Sequence, residues 1–236
     1  MRKTPLVNNH IYHVFNRGVE KRHIYLDNQD YLRFIHNLYE FNDRSPVINA
    51  RYYFNSKTRQ VESNLLMQSR PPAKDLVDVM VFTLMPNHFH LLIRQKQKGG
   101  ITKFMQKVCT GYTMYFNKKH KRVGGLFQGR FKSVLVSRKE HFIYLPYYIH
   151  SNPLALNINH ANTTDWRANM LYLTDYRWSS FPDYIGIKNF PSVTYREFIL
   201  SIFGGDKQYK AHTEDCLKAG DQEQWLQSIH DMVIDR

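Results

Sequence analysis

The chain has 236 residues, of which 42% are hydrophobic and 22% are charged. This length and composition suit one sizeable folded domain, or a domain with an extension, and exclude a globally disordered chain. The formal net charge is +13, and the chain holds 16 tyrosines and 15 phenylalanines. This combination favours nucleic acid as a partner, because phosphates attract cations and bases stack on aromatic rings.

The sequence does not support a protein with a cysteine-based framework or metal site, a membrane protein or an ATP-driven enzyme. Cys109 and Cys216 lie far apart, so neither a disulfide framework nor a thiolate metal site is indicated. No apolar run is long enough to span a membrane, and no apolar segment follows the charged N-terminus. We therefore expect a cytoplasmic protein without a membrane partner. The chain has no GxxxxGK[ST] loop, which leaves an ATP-driven mechanism unsupported.

The N-terminal segment His10–Arg17 has the pattern of a strand, and Gly18 after it is a turn signal. A basic loop follows the glycine. Its side chains suit contacts with phosphates and bases, although a solvated loop is the alternative. The candidate DNA-binding residues in this region are Asn16, Arg17, Lys21 and Arg22.

The next stretch predicts a helix from about residue 30 to residue 41, capped by Asp27 or Asn28. A second strand is predicted over residues 47–54. Periodicity is then lost over residues 55–76, which we interpret as an extended excursion from the core.

Two apolar runs, residues 77–84 and 88–94, flank a Met-Pro-Asn break and predict a pair of strands. Side chains alternate between the faces of a strand, so His88 and His90 are expected to point the same way. Two imidazoles placed like this can share a metal ion. The alternative is that they are ordinary polar residues on a half-buried strand.

Residues 101–118 have a helical pattern with a strongly basic end. Cations stabilise the C-terminus of any helix, but a cluster this dense also suits a phosphate backbone. A strand with two further basic residues is predicted over residues 126–136. The candidate DNA-binding residues of these two elements are Lys118, Lys119, Lys121, Arg122, Arg130 and Lys132.

A further helix is predicted to open with a Ser-x-x-Glu capping box at Ser137 and to end before Asn152-Pro153. Tyr148 and Asn152 are four residues apart and share one helix face. If that face looks onto the histidine strand, an amide oxygen and a phenol join the two imidazoles. An aromatic face buried in the core is the alternative. Pro146 removes a backbone hydrogen bond and is expected to kink the helix.

Residues 156–236 predict a small helical extension that packs on the core, with helices at 194–203 and 221–233. This extension contains no spacing typical of metal ligands. The chain accordingly divides into a core domain, residues 1–155 with the excursion at 55–76, and the extension. The predicted fold is α+β: a ferredoxin-like antiparallel sheet with helices packed mainly on one face.

Short motifs in the core resemble a known family. In chain order they are Asn16-Arg17-Gly18, Met85-Pro86-Asn87-His88-Phe89-His90, a Gly-x-Leu-Phe-Gln-Gly-Arg-Phe-Lys stretch over residues 124–132, and Tyr148-Ile149-His150-Ser151-Asn152-Pro153. Together they resemble the single-tyrosine HUH transposases of bacterial insertion sequences, and more closely the REP-associated tyrosine transposases. The resemblance covers roughly residues 10–155.

The resemblance implies that His88, His90 and Asn152 bind Mg²⁺ or Mn²⁺ and that Tyr148 is the nucleophile. The implied activity is that of a transposase, or strand transferase, which cleaves and rejoins single-stranded, hairpin-forming DNA through a 5′-phosphotyrosine intermediate. Tyr147 departs from the pattern, because the family usually has arginine before the nucleophile.

Two other functions stay open: a metal-dependent nuclease that uses activated water, and a domesticated or inactive DNA-hairpin-binding protein. A homodimer is possible, and the sequence leaves open whether one chain or two would build the active site.

Overall fold

The computed structural model describes residues 5–45, 52–55, 60–63, 74–156 and 165–220. The strands in these ranges are β1 (Ile11–Arg17), β2 (Tyr52–Asn55), β3 (Gln60–Ser63), β4 (Val77–Met85), β5 (His88–Gln95) and β6 (Lys132–Leu135). The helices are α1 (Asn28–Glu40), α2 (Gly100–Lys119), α3 (Lys139–Ser151), α4 (Trp166–Asp175), α5 (Phe181–Tyr184), α6 (Glu197–Phe203) and α7 (Asp206–Ala219).

Four strands form one antiparallel sheet in the order β4-β5-β1-β6. The predicted strand pair appears as β4 and β5, and β5, which carries the histidine pair, is central. β2 and β3 pair separately. Much of the predicted strand at 47–54 and of the excursion at 55–76 lies outside the described residues.

One face of the sheet packs against α1 and α2. Phe89, Leu91 and Ile93 of β5 are fully buried there, in the same apolar cluster as Phe34 of α1 and Val108 of α2.

The α1 helix begins as expected, because the side chain of its N-cap residue, Asp27, accepts a hydrogen bond from a backbone N–H of the first turn.

The opposite face packs against α3 and the helices of the C-terminal extension. Its cluster joins Met80, Val81 and Leu92 of the sheet to Tyr144 and Ile149 of α3. The α+β class and the antiparallel sheet are confirmed. Helices cover both faces, however, so the expectation of helices mainly on one face describes α1 and α2 but not α3 and the extension.

The extension also lies along the outer edge of β4. The backbone N–H of Leu84 donates to the Trp178 carbonyl at 2.9 Å, and the N–H of Tyr195 donates to the Val79 carbonyl at 2.7 Å. These bonds satisfy backbone groups that an edge strand otherwise leaves open. The expected packing of the extension is therefore present, whereas the domain boundary at residue 155 stays a prediction.

A buried histidine ties α3 to the extension. The two ring nitrogens of His150 lie 2.7 Å from the Tyr209 hydroxyl and 2.7 Å from the Ser180 hydroxyl. All three residues are fully buried. Because both ring nitrogens have partners, this contact fixes the C-terminal half of α3 against the extension.

Several predicted boundaries are wrong. β6 is shorter than 126–136, and Gly129 before it has a φ of 103°, a left-handed conformation that interrupts a strand. No capping box forms at Ser137, because the N-cap of α3 is Arg138 and its side chain makes no capping bond. The α3 helix continues through Pro146.

In the extension, α6 lies within the predicted helix at 194–203, whereas α7 was not predicted. The helix predicted over residues 221–233 lies outside the described residues. None of the described helices has the length and apolar character that a membrane crossing requires.

Candidate catalytic site on the α3 face of the sheet

His88 and His90 lie on the same face of β5, as strand alternation predicts. Their ring centroids are 5.0 Å apart and the rings are nearly perpendicular. Phe89 between them points to the other face and is fully buried in the core. His90 is buried, whereas His88 is half-buried and closer to solvent.

Tyr148 on α3 faces this pair within the same chain. Its ring centroid lies 6.0 Å from that of His90, in an edge-to-face arrangement. One turn later, the amide nitrogen of Asn152 donates to the Tyr148 backbone carbonyl at 2.7 Å. That bond orients the amide and leaves its oxygen available as an acceptor or ligand.

The tautomer of His88 is set by its neighbour, Asn87. The Asn87 amide nitrogen donates to the Lys21 carbonyl at 3.1 Å, so its oxygen faces the Nδ1 atom of His88 at 2.6 Å. An amide oxygen can only accept, so Nδ1 of His88 carries the proton. The lone pair of Nε2 is then free for a metal ion, which is the usual arrangement of a histidine ligand and its outer partner.

A third imidazole, His13 of β1, completes the cluster. Its Nε2 lies 2.9 Å from Nδ1 of His90, and the two rings stack with centroids 5.0 Å apart. It also meets the Tyr148 ring edge-on at 6.1 Å. Local sequence patterns do not predict a role for His13, because only the pairing of β1 with β5 brings it here. Its one sequence signal is a histidine inside an apolar strand.

Burial keeps the three imidazoles neutral. It lowers the pKa of His88 to about 4, with a smaller contribution from the Arg17 cation. Burial also lowers the pKa of His13 to about 3 and holds the pKa of His90 well below its ordinary value. Neutral imidazoles are the form that binds metal ions, so no proton has to be displaced at neutral pH.

Burial has the opposite effect on Tyr148. It raises the pKa of the Tyr148 phenol above its ordinary value of 10.0, and a hydrogen bond with the Asn152 side chain partly offsets this. The phenol is therefore protonated at neutral pH. A phenol in that state is a weak nucleophile, so it needs a nearby positive charge or a base to lose its proton.

The donor set fits a divalent cation. His88 offers an imidazole nitrogen, His90 offers a second one, and the Asn152 amide offers an oxygen. Within the part of the chain that the structure describes, no three His, Cys, Asp or Glu side chains group to hold a metal. The third protein ligand would therefore come from an amide such as Asn152.

Some of the predicted DNA-binding residues already form ion pairs or hydrogen bonds within the fold. The Lys119 ammonium lies 2.7 Å from Asp27 and 2.9 Å from the buried Asp30, so its charge is used within the fold. The Arg22 guanidinium is 3.1 Å from the Glu20 carboxylate. Arg17 donates to the side chain of Gln128. Arginine has further donors, so Arg17 and Arg22 can still reach a phosphate.

The other basic candidates are mostly at the surface. Arg122 is half-buried, donates to Asn117 at 3.1 Å and lies over the ring of Phe116. The exposed residues are Lys21, Lys118, Lys121, Arg130 and Lys132.

Asn16 and Arg130 lie away from the histidine pair. Together with Gln106 and Phe131 they line a cavity of about 790 Å³ next to α2. Asn16 alternates with Phe15 along β1 and therefore points to the face opposite His90. The Asn16 side chain is therefore on the other side of the sheet from Tyr148 and the histidine pair.

Lys132, in contrast, belongs to the same face as the histidines. Phe15 pairs with His90 on one side and with Lys132 on the other. Directly paired residues of antiparallel strands share a face, so the three side chains form a row from the histidine pair to the sheet edge. The rings of Phe15 and His90 stack with centroids 6.0 Å apart. The row ends in an exposed ammonium.

Comparison with known proteins finds one similar family and one similar solved structure. Residues 47–152, slightly less than half of the chain, match the family described as "Transposase IS200 like". The matched segment contains the histidine pair, Tyr148 and Asn152. No curated protein sequence matches the chain. A solved structure of a REP-associated tyrosine transposase bound to a REP hairpin shares 12% identity; the similarity covers 81% of this chain and 88% of that one, at a TM-score of 0.48.

The match of residues 47–152 to the IS200-like transposase family agrees with the resemblance that the sequence motifs indicate. Assignment to the REP-associated branch stays a prediction from those motifs.

Proposed function

We propose that the protein cleaves and rejoins single-stranded DNA, with Tyr148 as the nucleophile and a divalent cation held by His88, His90 and Asn152. The observation that carries the proposal is the 6.0 Å separation of the Tyr148 and His90 rings within one chain. A nucleophile and two neutral imidazoles beside each other suit attack on a phosphodiester. The match of residues 47–152 to a transposase family supports the same reaction.

The chemistry divides between the residues in a simple way. The Tyr148 hydroxyl oxygen forms a bond to phosphorus, the bond from phosphorus to the 3′ oxygen breaks, and the phenolic proton passes through solvent to the leaving 3′ oxygen. The products are a 5′-phosphotyrosine and a free 3′-OH. A bound Mg²⁺ or Mn²⁺ supplies the positive charge that offsets the phosphate and favours loss of the phenolic proton.

The covalent link retains the energy of the original phosphodiester. The 3′-OH of another strand can therefore attack it, release Tyr148 and rejoin the DNA. No nucleotide is needed for this reversal, in keeping with the absence of a phosphate-binding loop from the sequence. The protein is accordingly a strand transferase rather than a simple nuclease.

The single-stranded DNA is proposed to cross the α3 face along the row of His90, Phe15 and Lys132. Phe15 offers an aromatic surface to a base, and Lys132 offers a cation to the next phosphate. The basic loop at residues 18–23 lies beside the histidine pair, because Asn87 binds the Lys21 carbonyl. Hairpin-forming DNA is the proposed substrate on the basis of the sequence motifs.

All the proposed catalytic residues belong to one chain. The ring contact between Tyr148 and His90 is made within the chain, and the His150 network holds α3 against the extension. These contacts support a site assembled within one chain.

The test is a denaturing gel after incubation of labelled single-stranded hairpin DNA with the protein and Mn²⁺. The wild-type protein is expected to give a covalent band that EDTA and Tyr148→Phe abolish. Tyr147→Phe is the matched control, because that phenol lies next in sequence but is fully buried in the core, and this variant should keep the band. Cleavage without a band would favour a nuclease that activates water, and binding without cleavage would favour an inactive hairpin binder.

A further inference from the structure

His13 is a buried imidazole to which the proposed mechanism assigns no role. It is 1% exposed, and its Nε2 atom lies 2.9 Å from Nδ1 of His90. The pairing of Phe15 with His90 makes His13, two residues earlier on β1, a diagonal neighbour of His90 on the same face. The contact is therefore built into the register of the two central strands.

A hydrogen bond between two neutral imidazoles holds one proton. If His13 donates it, Nδ1 of His90 is the acceptor and Nε2 of His90 carries a proton, which blocks that nitrogen as a ligand. If His90 donates it, Nε2 of His90 keeps its lone pair. A metal ion can bind Nε2 of His90 only in the second arrangement.

The two histidine ligands thus have different outer partners. The amide oxygen of Asn87 can only accept, so the tautomer of His88 is fixed. His13 can accept or donate, and its own Nδ1 is buried without a hydrogen-bond partner among the described residues. Because Nδ1 of His13 has no hydrogen-bond partner in the described structure, the tautomer of His13 depends on its hydrogen bond with His90.

We propose that His13 is a positioning residue that accepts the Nδ1 proton of His90 and so directs the Nε2 lone pair of His90 to the metal ion. This inference rests on the proposed function, because it requires a metal at the histidine pair. His13 does not bind the metal itself, since its Nε2 is taken up by His90. Outer partners of this kind typically change metal affinity by about 10- to 100-fold.

The test measures Mn²⁺ affinity without DNA, by electron paramagnetic resonance of free Mn²⁺, so the readout does not depend on activity. His13→Phe keeps a ring but removes the acceptor, and we expect affinity about 10- to 100-fold weaker. His13→Gln places an amide oxygen at about the reach of Nε2 and should restore affinity to within about threefold of wild type. His90→Ala should lose the site.

Hairpin binding in EDTA separates positioning from a general loss of structure. We expect both His13 variants to bind the hairpin as the wild type does, because His13 is 1% exposed and offers no surface for contact with DNA. Wild-type Mn²⁺ affinity in His13→Phe, alongside loss in His90→Ala, would overturn the role of His13 and leave the metal site standing. Equal Mn²⁺ binding by wild type and His90→Ala would overturn the metal site and the role of His13 with it.

A second measurement needs no variant, and so stands even if His13→Phe fails to fold. Nitrogen-15 NMR of the histidine rings in the wild-type protein with bound Mg²⁺, a diamagnetic ion, reports which nitrogen carries each proton. The proposal predicts a proton on Nδ1 of His90 and on Nδ1 of His13. A proton on Nε2 of His90 would overturn it.

Discussion

The two faces of the central sheet are built from alternate residues of the same strands and differ in what they do. On the α1 and α2 face, Phe89, Leu91 and Ile93 are fully buried in an apolar cluster. On the α3 face, His88 and His90 lie opposite Tyr148. One strand, β5, thus contributes to stability with one set of side chains and to chemistry with the other. Substitutions at neighbouring positions should therefore have different consequences.

The largest expected effect is on the chemical face. Removing the metal with EDTA, or one ligand with His90→Ala, should reduce DNA cleavage by at least about 1,000-fold, because the charge that stabilises the reacting phosphate is lost. Hairpin binding in EDTA should be retained, and a gel-shift titration measures it. His10→Ala removes an exposed histidine of the same sheet region and is the matched control. Undiminished cleavage by His90→Ala would contradict the proposed metal site.

The neighbouring position tests the apolar face. Phe89→Ala should lower the free energy of unfolding by about 3–5 kcal/mol, because it leaves a cavity beside Phe34 and Phe127. Urea unfolding measures the change. Phe89→Leu keeps most of the side-chain volume and should cost clearly less. A Phe89→Ala protein as stable as the wild type would contradict the claim that the α1 and α2 face of the sheet contributes the stability.

The histidines also make stability depend on pH. Burial lowers the pKa of His88 to about 4 and of His13 to about 3, whereas both groups titrate near 6.5 in the unfolded chain. Below pH 6.5 the unfolded state therefore binds more protons, so the free energy of unfolding should fall as the pH is lowered towards 4. Urea unfolding between pH 8 and pH 5 measures this.

His13→Gln provides the control for that pH series. It removes one of the buried titrating groups, so its stability should fall less steeply below pH 6.5 than that of the wild type. Constant wild-type stability between pH 8 and pH 5 would contradict the burial of neutral imidazoles on the α3 face.

The smallest expected effect is on DNA affinity. Lys132→Ala removes an exposed ammonium from the α3 face and should lower the slope of log affinity against log salt by about 1. Lys119→Ala should leave that slope unchanged, because its ammonium is already paired with Asp27 and Asp30. Fluorescence anisotropy with a labelled hairpin at several salt concentrations separates the two. Equal effects would show that ion pairing within the fold does not decide which lysines bind DNA.

Much of this arrangement could be predicted from local sequence patterns. Strand alternation gave the common face of His88 and His90, and the four-residue spacing of Tyr148 and Asn152 gave their common helix face. The packing of that helix onto the histidine strand was only a hypothesis from the residues. That packing depends on contacts between distant segments. The sequence pattern of α3 was equally compatible with an aromatic face buried in the core.

The position of His13 could not be predicted from local sequence patterns. Its role depends on the register between β1 and β5, and a shift of one residue would turn it to the other face. The same limit applies to Lys119, which looked like a surface cation until the fold brought Asp27 and Asp30 beside it. Helices on both faces were missed because the extension's docking on β4 uses backbone bonds, which have no sequence signature.

The most direct test of the account is to identify the residue that carries the DNA. After reaction of the wild-type protein with single-stranded hairpin DNA and Mn²⁺, nuclease trimming and tandem mass spectrometry of the peptides would locate the attached nucleotide. The proposed mechanism predicts a phosphodiester on Tyr148, joined to the 5′ end of the DNA. Attachment to Tyr147 or another residue, or cleaved DNA without any attached nucleotide, would contradict it.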